Sequence, residues 1–426
     1  TASTRLRPRI PPGQTLDPAG VVRDVGPMPL AMVSAPGGRR VVLLMNGYRE
    51  QGIQVVDRAG VVKQTLPQRA AFIGLAFSPD GATRYASGGN RDLLYAYRWA
   101  ADSAVLADSL VLHVTLPDSD GTRYPAGLAL NPDGRTMYVA ENLADSLAVV
   151  DVATGRVTQR LATGPYPYAV AVTPDGTVFV SNWGASTLSV FTPAAGGRAG
   201  GAAPALVAAP PIPAGRHPSA LLLTADGRRL FVASGSTDRV TVIDTRARRV
   251  VATLLDPPPA GPGEGSTPNA LALSADGTRL FAAESDANAV AVFDLSASTS
   301  GVATAGGDDK LAGRIPMGWF PTAVLALGDT LLVANGKGAG TGPNPDGPIP
   351  GGRRHPPTAY TLGQLNGSLS ILPAVRVRGA ELEAFSTRVA RANGWAGAPA
   401  AAAKRYPPFA HVIYIIRENR TYDQVL

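Results

Sequence analysis

The stretch that decides the fold begins at Gly127-Leu128-Ala129-Leu130-Asn131-Pro132-Asp133-Gly134 and runs on through Met137-Tyr138-Val139-Ala140-Glu141-Asn142. A short apolar strand reaches an Asn-Pro-Asp-Gly turn, where Pro132 presets φ and Gly134 eases the exit into a second strand. After the polar corner Glu141-Asn142, a third strand alternates with period two over Leu147-Ala148-Val149-Val150-Asp151. The tight turn Ala153-Thr154-Gly155 then feeds a fourth, Arg156 to Leu161. Four consecutive strands joined by tight turns form an antiparallel meander.

The same unit recurs outward in both directions. Its turn returns as Phe77-Ser78-Pro79-Asp80-Gly81, Val172-Thr173-Pro174-Asp175-Gly176, Leu223-Thr224-Ala225-Asp226-Gly227 and Leu273-Ser274-Ala275-Asp276-Gly277. Degenerate copies stand at Ala35-Pro36-Gly37-Gly38 and Ala326-Leu327-Gly328-Asp329. Seven units spaced roughly 40 to 55 residues apart have the period of propeller blades. The expected fold is therefore all-β, a seven-bladed β-propeller of four-stranded antiparallel blades.

Ring closure follows from what the last unit lacks. Inner strands near Thr322–Leu327, Thr330–Ala334 and Ser368–Leu372 have no obvious fourth partner, whereas Gly20 to Pro27 reads like a fourth strand plus its exit loop. Residues 20–25 are expected to complete blade seven and remove an exposed edge. The organisation is then an N-terminal extension over 1–19, a propeller over 20–373, a helix and linker over 374–405, and a strand opening a second domain over 406–426. Within the ring, Pro193–Pro213 is expected to be an expanded surface connection of blade four.

Composition agrees and excludes several classes. The chain has 426 residues, 45% hydrophobic and 17% charged, and 48 glycines with 38 prolines favour turns and short strands. No apolar run is long enough for a membrane helix. Cysteine is absent, which removes disulfides and thiolate metal sites. The net charge of +7 permits an anionic partner, nucleic acid included, but the arginines are scattered without a basic block.

Turns of a meander alternate between two faces. The Pro-Asp-Gly turns share the stereotyped face. The second-strand corners and interblade loops share the other, which carries Tyr124, Glu141, Asn142, Tyr166, Tyr168, Asn182, Trp183, His217, Glu284, Trp319, Phe320 and Asn335, with Lys337 beyond. These converge on the mouth of a central channel, the expected ligand-binding site. Each also has a structural reading, because corner amides and carboxylates bond backbone and interblade aromatics fill wedges. His217, read as the one histidine in an interblade loop, is a hydrogen-bonding member rather than a metal ligand. Asp118-Ser119-Asp120-Gly121 begins like a calcium loop but lacks the later acidic ligand and reads as a turn. No Gly-x-Ser-x-Gly elbow, His-Glu-x-x-His or Walker loop occurs, so neither a catalytic residue nor a cofactor is expected in the propeller.

Past Pro373 the pattern changes. Leu382, Phe385 and Val389 lie on one face of a short helix over Glu381 to Ala392, stopped by Asn393-Gly394. His411-Val412-Ile413-Tyr414-Ile415-Ile416 then reads as a buried parallel strand ending in Arg417-Glu418-Asn419. A core strand needs cover on both faces, so the chain is expected to open a second domain here.

The second strands Met137-Tyr138-Val139-Ala140-Glu141-Asn142, Val178-Phe179-Val180-Ser181-Asn182 and Leu331-Leu332-Val333-Ala334-Asn335 resemble the Tyr-Val-Thr-Asn repeats of YncE-like, lactonase-like propellers. The tail is similar to the start of the phosphoesterases of the alkaline-phosphatase superfamily. The resemblance implies Glu418 and Asn419 as metal ligands, with a divalent metal only in the complete phosphoesterase domain and the other catalytic groups downstream. It implies a non-catalytic propeller for recognition or scaffolding. Its partners would be its own C-terminal domain and a phosphorylated small molecule, in a periplasmic or extracellular protein. The Gly336 to Leu365 loop would meet that partner. Two rival readings stay open: a lactonase carried by the propeller, requiring an acidic and arginine cluster at the mouth, and an anion or nucleic-acid binder.

Overall fold

The computed structural model describes residues 9–395 except 12, 49, 115–118, 195–204, 260–263, 339–360 and 374. Seven four-stranded antiparallel sheets are present, six of them meanders of four consecutive strands that follow one another along the chain. The innermost strands are Pro29–Ser34, Leu75–Phe77, Pro125–Leu130, Pro167–Val172, Pro218–Leu223, Pro268–Leu273 and Pro321–Leu327, for blades 1 to 7 in that order. Neighbouring inner strands pack side by side around the axis.

The expected closure is present. Val21–Val25 pairs antiparallel with Gly367–Leu372, Val21 opposite Ile371 and Val25 opposite Gly367, and so forms the outer strand of blade 7. The two ends of the ring are joined by main-chain hydrogen bonds.

Period-two alternation explains the stacking. In blade 3, Met137, Val139, Ala148 and Val150 face blade 2, packing with Tyr85 and Leu94. The intervening Tyr138, Ala140, Leu147 and Val149 face blade 4, against Val178 and Val180. Each blade is thus apolar on both faces, and burying each large side chain contributes about 1.5–3 kcal/mol.

The recurring turn is held by its own residues. Gly81, Gly134, Gly176, Gly227 and Gly277 have φ from +68° to +85°, a region glycine enters without penalty. The aspartate before each accepts the amide two residues on, as Asp80 does from Ala82 at 3.0 Å and Asp133 from Arg135 at 2.9 Å.

One expectation is corrected. The proline-rich segment of blade 4 contains a strand, Leu206–Pro213, paired with Thr187–Pro193. Prolines are tolerated because this is the outer strand, whose far side needs no ladder donor.

The C-terminal helix, Gly379–Ala392, packs on blade 6, buried Leu382 against the outer strand Leu311–Pro316 and buried Val389 against Ala287 and Ala289. The N-terminal segment ties it down: Arg388 donates to Asp17 Oδ2 at 3.0 Å and Oδ1 at 3.1 Å, and Gln14 to Asn393 at 2.7 Å. No helix among the described residues is long and apolar enough to cross a membrane. The 339–360 loop and the tail from 396 onward, with Glu418 and Asn419, lie outside the described residues.

Candidate functional site: the channel mouth

The mouth is built by a device repeated around the ring. Six inner strands start with proline, which has no ladder donor to lose. Proline bars its predecessor from the right-handed helical region. The preceding residues Met28, Tyr124, Tyr166, His217, Thr267 and Phe320 all take positive φ, between 49° and 64°. Such conformations cost energy in non-glycine residues and persist only where the surroundings enforce them.

An Asp or Asn directly before the third strand of the preceding blade does the enforcing at four junctions. Asp92 accepts the amides of Thr122, Arg123 and Tyr124 at 2.9–3.0 Å. Asp145 accepts Tyr166 N at 2.8 Å, Asp238 accepts Thr267 N at 3.0 Å, and Asn288 accepts Phe320 N at 2.9 Å. Blade 4 has Ser186 at this place, before the strand Thr187–Pro193. Its dependent residue, His217, is held differently: Nδ1 shares a 2.7 Å hydrogen bond with Ser236 Oγ, and the ring stacks on Trp183 at 4.3 Å.

Within the ring lies a cavity of about 480 Å³ lined by residues of all seven inner strands or their approaches. Its polar side chains are His217, Ser219, Ser236, Thr267, Asn269 and Thr322, and its aromatic ones Tyr168, Trp183 and Phe320. No Asp, Glu, Lys or Arg is among these lining residues. Phe72 joins Tyr124 and Tyr168 edge-on at 5.1 and 5.7 Å. Burial pushes the Tyr168 phenol up to about 12, so it stays a neutral donor. At the blade 7 side, Lys337 Nζ sits 4.1 Å from the Phe320 ring centroid and 5.4 Å from that of Trp319.

The residues singled out in the sequence divide into two groups. Trp183, His217, Tyr168 and Phe320 line the cavity, Tyr124 stands behind it on Phe72, and Tyr166 is exposed at the rim. The ends of the second strands instead turn into their own blades. Glu141 is buried and receives Arg160 Nε at 3.0 Å, Arg123 at 3.3 Å and Ser146 Oγ at 2.6 Å. Glu284 is buried beneath Arg314, whose Nε lies 3.0 and 2.8 Å from its two oxygens. Burial raises the Glu284 carboxyl above its ordinary range and Arg314 opposes the rise. Asn182 bonds Thr187 and Ser189, and Asn335 bonds Ser368 and Ser370, each crosslinking strands of one blade. Asn142 donates to the Pro167 carbonyl, and Trp319 packs on Ile10 and Leu16 of the N-terminal segment.

His113 also lies in an interblade connection, after Leu112, so His217 is not alone there. Of the Asp118–Gly121 turn, 119–121 are described, and Asp120 accepts from Asn90. No group of three His, Cys, Asp or Glu among the described residues could hold a metal ion. The acidic and arginine cluster that a lactonase reading requires does not appear in the cavity lining.

Fold and mouth define a seven-bladed propeller whose central cavity is lined by uncharged side chains. The family described as SMP-30/Gluconolactonase/LRE-like region matches residues 113–236, from blade 3 through the second strand of blade 5. Three solved structures share the architecture. Hydrazine synthase of Kuenenia stuttgartiensis matches at 19% identity and TM-score 0.55, over 73% of this chain and 93% of that one. A catalytically inactive virginiamycin B lyase from Staphylococcus aureus with quinupristin matches at 12% and 0.54, over 83% and 99%. A putative 6-phosphogluconolactonase from Bacteroides uniformis matches at 14% and 0.54, over 73% and 90%. No curated protein matches the chain.

Proposed function

We propose that this propeller is a recognition module that binds a neutral, ring-bearing group in its channel mouth. The observation that carries the reading is the lining itself: hydroxyls, an amide, an imidazole and aromatic faces, with no charged side chain. Flat aromatic walls suit the face of a ring, and Ser, Thr and Asn hydrogen-bond its substituents without the desolvation cost of an ionised group. His217 and Ser236 form one imidazole–hydroxyl pair in the lining, but no carboxylate or guanidinium lines the cavity to orient that imidazole or to steady a developing charge, so binding is favoured over hydrolysis.

We further propose that the module serves a metal-dependent phosphoesterase domain opening at residues 406–426, in an exported protein. Support comes from the apolar run His411 to Ile416 followed by Glu418 and Asn419. A phosphorylated ligand would seat its ring in the cavity and leave its charge at the rim, on the side of Lys337.

The test is a ring-fragment library screened by saturation-transfer NMR, with hits titrated by tryptophan fluorescence. Trp183→Ala and His217→Ala should each weaken binding at least tenfold, which corresponds to about 1.4 kcal/mol. Hits that bind equally well to both variants would refute the mouth. Turnover of glucono-δ-lactone by this chain would replace recognition with the lactonase reading.

A further inference from the structure

Outside the cavity, between blades 1 and 2, the second strand of blade 2 (Thr83–Ser87) sets Arg84 opposite Tyr97 in the next strand, Leu93–Ala100. Arg84 is fully buried. Its guanidinium carbon is 5.1 Å from the Tyr97 ring centroid and 5.8 Å from that of Phe77, which Trp99 meets edge-on at 5.4 Å. This aromatic collar supplies no carboxylate. Neither Nε nor either terminal nitrogen of Arg84 meets a hydrogen-bond acceptor among the described residues.

The fold treats its other buried guanidinium groups differently. Arg279 reaches Asp294 at 2.7 Å and two backbone carbonyls, and Arg314 reaches Glu284 and two more. Arg84 has no such match. Burial lowers its pKa to about 9, so the group keeps its proton at neutral pH. Contact with ring faces returns only about 2 kcal/mol, whereas burying an ion without a counter-charge costs several.

The neighbouring polar groups, the Tyr97 hydroxyl and the Gln68 amide, each carry a donor beside their acceptor oxygen. The Tyr97 phenol, pushed up to about 12 by burial, keeps its O–H, and Gln68 and Arg84 lie close enough to pull against that rise. Gln68 ends the outer strand of blade 1, so the cluster bridges two blades.

We propose that Arg84, with the Tyr97 hydroxyl and the Gln68 amide, holds a small monovalent inorganic anion such as chloride in the seam between blades 1 and 2. One negative charge neutralises the guanidinium. A dianionic phosphate would leave excess charge against Phe77 and Trp99. A halide accepts N–H and O–H donors from several directions, as this set requires.

The test pairs thermal unfolding with anomalous diffraction. At matched ionic strength, the wild type should gain on the order of 2 °C in Tm when sodium chloride replaces sodium gluconate. Arg84→Met should lose that response. Should Arg84→Met not fold, Tyr97→Phe keeps the ring, deletes one donor and should shrink the response. Wild-type crystals soaked in sodium bromide should show an anomalous peak against the Arg84 guanidinium. Ordered water alone at that place, or a chloride response unchanged in Tyr97→Phe, overturns the proposal.

Discussion

Gly20 tests the ring closure most directly. It enters the strand Val21–Val25 at φ +72°, and a Cβ built on it would lie 2.3 Å from the Ile371 carbonyl oxygen and 2.6 Å from Leu372 Cβ. Gly328, in the hairpin between the inner and second strands of the same blade, has φ +61° with nothing within 4 Å of its Cβ position. Both Gly→Ala changes carry the left-handed penalty of about 1–2 kcal/mol. Only Gly20→Ala adds a clash at the seam, and overpacking of this kind costs about 1–3 kcal/mol. The unfolded-state entropy gained by replacing glycine is common to both and cancels in the comparison. Urea denaturation should therefore show Gly328→Ala losing about 1–2 kcal/mol and Gly20→Ala about 2–5 kcal/mol. If the extra loss falls on local opening, 2 kcal/mol speeds amide exchange along Val21–Val25 and Gly367–Leu372 roughly thirtyfold. Equal losses in the two variants, with unchanged exchange at the seam, would refute the claim that the closing strand is tightly zipped.

Two further predictions concern buried acids. Asp256 is fully buried with both carboxylate oxygens unmatched, and burial, then the charge of Glu284, raises its pKa well above the ordinary value. The folded state thus keeps this proton longer than the unfolded chain. Its contribution to stability falls as pH rises from the usual carboxylate range through the raised value. Asp256→Asn should match the wild type in acid and exceed it at pH 8 by about 1–3 kcal/mol, as read by Tm against pH. At the mouth, Asp92→Ala orphans three amides held at 2.9–3.0 Å, costing about 3 kcal/mol in denaturant titrations and shifting the Tyr124 ring resonances in NMR.

The ring was legible in the sequence because its information is local. A Pro-Asp-Gly turn is specified within a few residues, and period-two strands on either side declare which side chains face which neighbour. Even the closure could be read, since Gly20 to Pro27 has the form of a fourth strand and the last unit lacks one. The polar second-strand ends were harder to read. Glu141 and Glu284 look like site carboxylates in isolation, yet each is captured by an arginine of its own fourth strand, Arg160 or Arg314. The offsets are 19 and 30 residues, unequal because the blade 6 hairpin carries the inserted helix Ala297–Ser300. A glutamate closing the second strand with an arginine in the fourth is the signal that separates structural carboxylates from available ones.

The mouth was obscured for a different reason, which also bears on how it can work. Asp92, Asp145, Asp238 and Asn288 all grip backbone amides, not side chains, of the residues they position. A clamp of that kind fixes where a side chain begins while leaving its identity free. The four clamped positions accordingly carry Tyr, Tyr, Thr and Phe, with no common residue for a sequence pattern to expose. At these four junctions the X-Pro step and the Asx before the third strand repeat, and both resemble ordinary turn chemistry until the ring is closed. At the junction of blades 4 and 5, Ser186 stands where the others have an Asx, and the side chains of Trp183, His217 and Ser236 hold one another instead. There the mouth's geometry depends on side-chain identity, so substitutions at this junction should alter ligand choice more than equal changes at the four clamped positions.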